Sequence, residues 1–292
     1  MTDTAAPAPW SQIGLYLLLT LALSCIFYAF VIVTGHPAAG RGVYIAGLMW
    51  SPGVAAILTC LLTRTPLASL GWKWGAWKWQ WAAYFIPIAY ALAAYVLVWS
   101  MGWGGFVSPA FVDSVRKDMG WAQVSGPVLV GGYVLLMGVV GMVGSSAHAL
   151  GEEIGWRGFL APRLVGRLGF WGGAIVTGLI WTAWHVPVLL FAGYNNGTPW
   201  WYGLGCFTVL VVSISVVMTW LRMRSGSLWT GVLVHASHNL FIQALLTPMT
   251  APRGSITPYA IDEFGFAVPA MALVTAILVA VFAAKPLDRP ET

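Results

Sequence analysis

About eight runs of roughly 20 apolar residues follow one another along the chain, and this repetition constrains the fold more than any other feature. The runs are Ile13–Thr34, Val43–Leu62, Trp81–Met101, Pro127–Leu150, Trp171–Phe191, Trp200–Leu221, Leu228–Leu246 and Phe264–Ala284. In a bilayer no water meets the backbone, so each run must satisfy its own N–H and C=O groups as a helix. The expected fold is all-α membrane: a polytopic bundle of about eight transmembrane helices, with residues 1–292 forming a single integral-membrane domain. Composition supports this, because 59% of the residues are hydrophobic and 8% are charged, against about 25% charged in soluble domains. A water-soluble globule and a disordered chain are both excluded.

The net charge of +5 comes from 14 Lys and Arg scattered between the apolar runs. A nucleic-acid partner needs such residues clustered on one face, so none is expected. Their distribution sets orientation instead. With the N-terminus inside, Arg64, Lys73, Lys78, Arg157, Arg163, Arg167, Arg222, Arg224, Lys285 and Arg289 fall on the inner side. Arg41, Arg116, Lys117 and Arg253 fall on the outer side. This positive-inside bias predicts a multi-pass cell-membrane protein with both termini cytoplasmic. The segment Met1–Trp10 lacks a basic leader, so Ile13–Thr34 reads as a retained span rather than a signal peptide. The alternating rings and lysines of Gly71–Trp81 read as an interfacial stretch, and Gly138, Gly141 and Gly144 as helix-packing positions. Cys25, Cys60 and Cys206 sit in apolar segments without CxxC spacing and read as packing residues.

Polar side chains inside apolar runs are expensive in lipid and mark function by default. Three groups stand out. The first is Glu152-Glu153-x-x-x-Arg157, where the four-residue spacing puts Glu153 and Arg157 on one helical face as a pair. Glu152 lies about 100° round the helix and stays available for chemistry. The second is Trp181-Thr-Ala-Trp184-His185-Val-Pro187, in the fifth run. The third is His235-Ala-Ser-His238-Asn239, in the seventh, with His235 and Asn239 one turn apart. The spacing leaves the roles of His238 and His148 open; His148 either contacts Glu152 from one turn earlier or faces the headgroups.

A Glu and a His together can activate a water as general base. A second His with an Asn can donate to a developing oxyanion. Neither an HExxH nor a GxSxG motif is present. Glu152, His185 and His235 are also candidate metal ligands, so the sequence leaves open direct water activation and a divalent metal such as zinc. Intramembrane Glu and His serve proton relays too, which makes a proton-coupled transporter a competing reading, although the chain shows no matched halves. One geometric tension is visible. His185 lies about 20 Å along its run from Trp171, whereas His235 lies about 10 Å along its own from Leu228.

Taken together, Glu152-Glu153-x-x-x-Arg157, an aromatic-x-x-x-His ending at His185, and His235-x-x-x-Asn239 resemble the motifs of the CPBP (ABI) intramembrane proteases, which include the type II CAAX prenyl endopeptidases. Arg157-Gly-Phe-Leu and Leu228-Trp match the family context, and the resemblance covers roughly Gly144–Phe241. It implies an eight-helix fold, a catalytic core at about 127–246, and a chamber opening to cytosol and lipid. By motif position Glu152 and His185 would activate water, and His235 with Asn239 would stabilise the oxyanion. Glu153 and Arg157 would shape the site. The implied partners are the lipid bilayer and a membrane-associated peptide or protein substrate, with prenylation left open. The family is also reported to include non-catalytic roles, in bacteriocin self-immunity or as a membrane scaffold. Its second motif usually opens on Phe; Trp181 stands there, and another aromatic is expected to pack in the same way.

Overall fold

A computed structural model describes residues 8–34, 42–121 and 123–282. Each of the eight apolar runs falls on helix. The first three are α1 (Trp10–Thr34), α2 (Val43–Leu62) and α3 (Trp77–Ser100). After a short amphipathic α4 (Pro109–Met119), one nearly unbroken helical run extends from 126 to 191. It comprises α5 (Gly126–Leu136), π-helical turns at Met137–Gly141, α6 (Met142–Glu153), further π-helical turns at Ile154–Leu160, and α7 (Ala161–Phe191). Then come α8 (Trp200–Ser225) and α9 (Trp229–His238), the latter continued by π-helical turns over Asn239–Leu246. Two short turns, α10 (Thr247–Met249) and α11 (Thr257–Ala260), precede α12 (Ala267–Phe282).

Among the described residues, five helical stretches are long and apolar enough to cross a membrane, and the 126–191 stretch contains two of the eight sequence runs. These two separate at Gly169, whose φ of 71° and ψ of 173° interrupt α7. That backbone region is open essentially to glycine alone. The protein is a multi-pass, all-α membrane bundle. Large apolar side chains such as Leu18, Val33, Leu135, Val139 and Val143 are exposed on its outside, where a bilayer rather than water accounts for them. The end of the last run, Met1–Pro7, and Arg41, Lys285 and Arg289 from the charge count lie outside the described residues.

Small residues set the tightest crossing. A Cβ on Gly53 of α2 would stand 2.4 Å from the Gly151 carbonyl, and one on Gly151 would stand 2.7 Å from the Trp50 Cα. Helices approach this closely in membranes where glycine removes the side chain. Of the three glycines expected to pack, Gly138 meets Tyr84 and Phe241, and Gly141 meets Leu240, but Gly144 faces open space. The helix α6 turns a different face to its neighbours there, and Gly151 performs the packing instead.

Two further departures bear on the site. Helix α3 starts at Trp77 rather than Trp81, because Gly75 at φ 76° makes the turn and Gln80 folds back to donate to the Trp74 carbonyl. The connection after α3 is also structured. Gly104–Phe106 (β1) pairs antiparallel with Thr250–Pro252 (β2), with Gly104 opposite Pro252 and Phe106 opposite Thr250. The Thr257 hydroxyl adds a 2.7 Å bond to the Trp103 carbonyl. This clasp fixes the long connection that leads into α12.

Candidate active site

Glu152 and Glu153 end α6 just where the π-helical turns begin. A π turn holds an extra residue and releases carbonyls from the α ladder, and such turns recur at functional sites. Here the Arg157 carbonyl is taken by Arg222 Nε of α8 at 3.0 Å. The expected pair forms: Arg157 Nη1 donates to both Glu153 oxygens, at 3.1 and 3.2 Å, and both side chains are fully buried. The Arg157 guanidinium lies 4.3 Å from the centre of the Trp181 ring. His235 Nδ1 of α9 reaches Glu153 Oε1 at 2.9 Å. Gly231 lets α9 come this close, since a Cβ there would lie 2.9 Å from Glu153 Oε2.

Glu152 points elsewhere, as the helical angle predicts. Its Oε2 accepts from the indole N–H groups of Trp156, at 3.2 Å, and Trp181, at 2.7 Å. Trp181 therefore does more than the Phe expected at its position would do: it packs, and it also donates. Its carbonyl is 2.9 Å from His185 Nδ1. A carbonyl accepts only, so Nδ1 carries the proton and Nε2 is the ring nitrogen left for chemistry. The His185 ring is boxed by Trp184, at 4.8 Å between centroids, Phe207, at 5.0 Å, and a near-parallel Tyr194, at 6.4 Å.

Glu152, His185, His235 and Asn239 all line one cavity of about 170 Å³, several times the share of one liquid water, about 30 Å³. Ile45, Leu48 and Met49 of α2 and Val188, Phe207, Val211 and Ile214 form its apolar wall. Asn239, half-buried, opens the last π-helical stretch. The two runs that carry these histidines start in different surroundings. Helix α9 begins at a fully buried Leu228, whose N–H donates to the Gly71 carbonyl at 2.8 Å, while Trp171 is about half exposed. The seventh run starts inside the protein and the fifth at its surface.

His148 is exposed and its Nδ1 lies 3.0 Å from the Gly144 carbonyl, away from the cavity. His238 does line the cavity. Its Nδ1 pairs with the Tyr90 hydroxyl of α3, and its Nε2 lies 2.8 Å from Glu263 Oε1. Glu263 also accepts from the Tyr194 hydroxyl at 2.7 Å, and Gln243 Nε2 donates to that hydroxyl at 3.2 Å. Trp156, Tyr194, Gln243 and Glu263 had no signal in the sequence, since none completes a spaced motif. Glu263 merely closed a loop.

Glu263 is buried, which opposes ionisation, yet the bonds from His238, Tyr194 and Gln243 hold its carboxyl below the usual value. Partial burial and the adjacent Glu263 charge push Asp262 up to about 7. An acid raised on folding binds more protons in the folded state between its usual value and about 7, so its stabilising contribution is present at low pH and fades as pH rises through 7. Thermal unfolding in detergent between pH 5 and pH 8, ordinary assay limits of about this range, is expected to show stability falling with pH, and Asp262→Asn to flatten that slope. An unchanged slope in the variant removes Asp262 as its source.

Among the described residues no group of three or more His, Cys, Asp or Glu side chains is placed to hold an ion. Of the three candidate ligands, Glu152 receives indole donors on one oxygen, while His185 and His235 turn Nδ1 to the Trp181 carbonyl and to Glu153, which leaves Nε2 of each ring for the cavity. Nothing in this arrangement supports a metalloprotease over direct activation of water, and the mechanism is derived through the side chains alone.

Comparison with known proteins adds an independent line. Residues 132–241 match the family described as type II CAAX prenyl endopeptidase Rce1-like. A curated relative, CAAX prenyl protease 2 of Methanococcus maripaludis, is 28% identical over 97 residues, which is 30% of this chain and 34% of the relative. The chain thus spans about a third of the length of the curated relative it matches. Residues 132–241, the segment that supplies both glutamates, Arg157, His185, His235 and Asn239, carry the likeness to the CPBP/CAAX-protease family that the spaced motifs pointed to.

Proposed function

We propose that this protein is an intramembrane endopeptidase that hydrolyses a peptide bond of a membrane-associated substrate with a directly activated water. The observation that carries the reading is the shared cavity: Glu152, His185, His235 and Asn239 come from three separate helical segments and line one space large enough for a water and a peptide group. Glu152, with Oε2 committed to two indoles, uses its other oxygen to take a proton from the water, which His185 Nε2 helps to hold. The hydroxide attacks the carbonyl carbon. Asn239 and His235 Nε2 donate to the oxyanion, with Glu153 as the counter-charge that a doubly protonated His235 requires. The proton held at Glu152 passes to the leaving amine as the C–N bond breaks. Arg157 neutralises Glu153 and keeps it out of the proton transfer.

The core at 127–246 supplies these groups, and the chain sits in the cell membrane with both termini cytoplasmic. The substrate is a peptide or protein tethered to the lipid bilayer, since apolar side chains line the same cavity as the polar set. A reporter peptide anchored in proteoliposomes tests the assignment. The wild-type chain is expected to cleave it, and Asn239→Ala to lower kcat by about 10²–10³, the usual cost of losing one oxyanion donor. Cleavage at the wild-type rate by Asn239→Ala would remove that residue from the mechanism.

A further inference from the structure

Glu263 belongs to no motif and lies beyond the matched segment, yet its carboxylate enters the cavity wall and is 5% exposed. Its two oxygens are spent on two different structures. Oε2 holds Tyr194, and Oε1 holds His238. Each has a consequence for a neighbour.

Tyr194 sits on the connection after α7, outside any helix, and forms the near-parallel wall of the box around His185. Its backbone N–H reaches the Val188 carbonyl at 3.4 Å and its ring packs edge-on against Phe264 at 5.0 Å, while the hydroxyl end of the ring is held by Glu263 and Gln243. His238 is the residue before Asn239, at the junction where α9 widens into π-helical turns. Its ring is pinned on one side by Tyr90 of α3 and on the other by Glu263, which fixes the rotation of the helix at that junction. Glu263 is itself aimed by the backbone around it. Asp262 adopts a left-handed conformation at φ 66°, takes the Glu263 N–H on its own carboxylate at 2.8 Å, and gives its N–H to the Tyr95 hydroxyl at 3.2 Å. A strained non-glycine residue held by this many contacts is characteristic of positions where aim matters.

We infer that Glu263 is a positioning residue for the hydrolytic set, holding His185 through Tyr194 and Asn239 through His238. The inference rests on the endopeptidase reading for its effect on rate, and on geometry alone for its effect on the two histidines. Productive hydrolysis needs His185 and Asn239 aimed at the same peptide group, and one carboxylate ties both aims together. Substrate contact is left to other residues, so kcat rather than KM is the quantity it governs.

The experiment uses the full chain in nanodiscs, with Glu263→Gln, Tyr194→Phe and their combination. Tyr194→Phe keeps the ring beside His185 and removes only the hydroxyl, which guards against a variant that simply fails to fold. Each single variant is expected to lower kcat by about 10–100-fold with KM within about twofold, as when a carboxylate behind an active-site histidine is lost. The double variant is expected to match Glu263→Gln, because the bond that Tyr194→Phe removes is one of the two that Glu263→Gln already alters. Histidine ring nitrogen spectra give a second readout: the His185 and His238 signals both shift in Glu263→Gln, and His185 shifts in Tyr194→Phe. Unmoved His185 signals in both variants overturn the inference. So does wild-type kcat in both. If the wild-type chain cleaves no tethered peptide, the endopeptidase reading fails, and the ring signals still decide whether Glu263 positions His185.

Discussion

Glu152→Gln is expected to reduce cleavage of a bilayer-anchored peptide by about 10²–10⁴, the range that a positioned general base contributes. The substitution is informative because it changes so little else. Glu152 Oε2 accepts from Trp156 and Trp181, and a glutamine carbonyl oxygen in that place accepts both indoles equally well. The amide nitrogen then occupies the position facing the cavity, where it can donate but cannot take a proton from water. Fold and melting temperature are expected to be retained while turnover is lost. A variant that cleaves at the wild-type rate would sink the assignment of Glu152, and with it the mechanism, since no other group is placed to replace it in the scheme above.

The second large effect is on stability. Arg157→Met is expected to destabilise the protein by about 3–5 kcal/mol, because the fully buried Glu153 loses its guanidinium partner and keeps the His235 ring alone against it. Adding Glu153→Gln to Arg157→Met is expected to restore most of that loss. The pair is well placed to show this asymmetry. Arg157 uses Nη1 for Glu153 and its guanidinium face for the Trp181 ring, whereas Nε and Nη2 are buried without a hydrogen-bond partner. An ion pair with unsatisfied donors gains less than an ideal one, so replacing both partners by uncharged residues costs less than removing one of them. Thermal unfolding in one detergent, read for the single and double variants, checks this. Equal losses in both would mean that the arginine contributes packing rather than charge balance.

The parts of this protein that were legible in the sequence are those where the surroundings enforce a simple rule. Lipid leaves the backbone no partner but itself, so the apolar runs fall on helix, although the fourth and fifth are joined in one helical stretch from 126 to 191. The Glu153–Arg157 pair followed from a four-residue spacing, and it forms although the helix turns from α to π between the two. Glu152 followed from the angle it makes with its neighbour. What could not be read depends on contacts made far along the chain. Trp181 looked like one more packing aromatic, and its hydrogen bond to Glu152 spans 29 residues. Tyr194 and Glu263 meet across 69 residues, at a place set by two connections. Gly144 looked like a packing position because small residues recur at that spacing, and which face α6 turns inward was decided by the closer fit of Gly53 against Gly151.

The clasp between β1 and β2 has a consequence for synthesis. Every residue of the three spaced motifs has emerged once the chain reaches Asn239, but Thr250–Pro252 and Glu263 have not. A nascent chain at that stage holds the reactive side chains without the carboxylate that ties Tyr194 and His238 into the cavity wall. Assembly of the chamber therefore waits until the chain has been made as far as Glu263, and a shorter ribosome-bound fragment carries the chemistry in an unfinished enclosure.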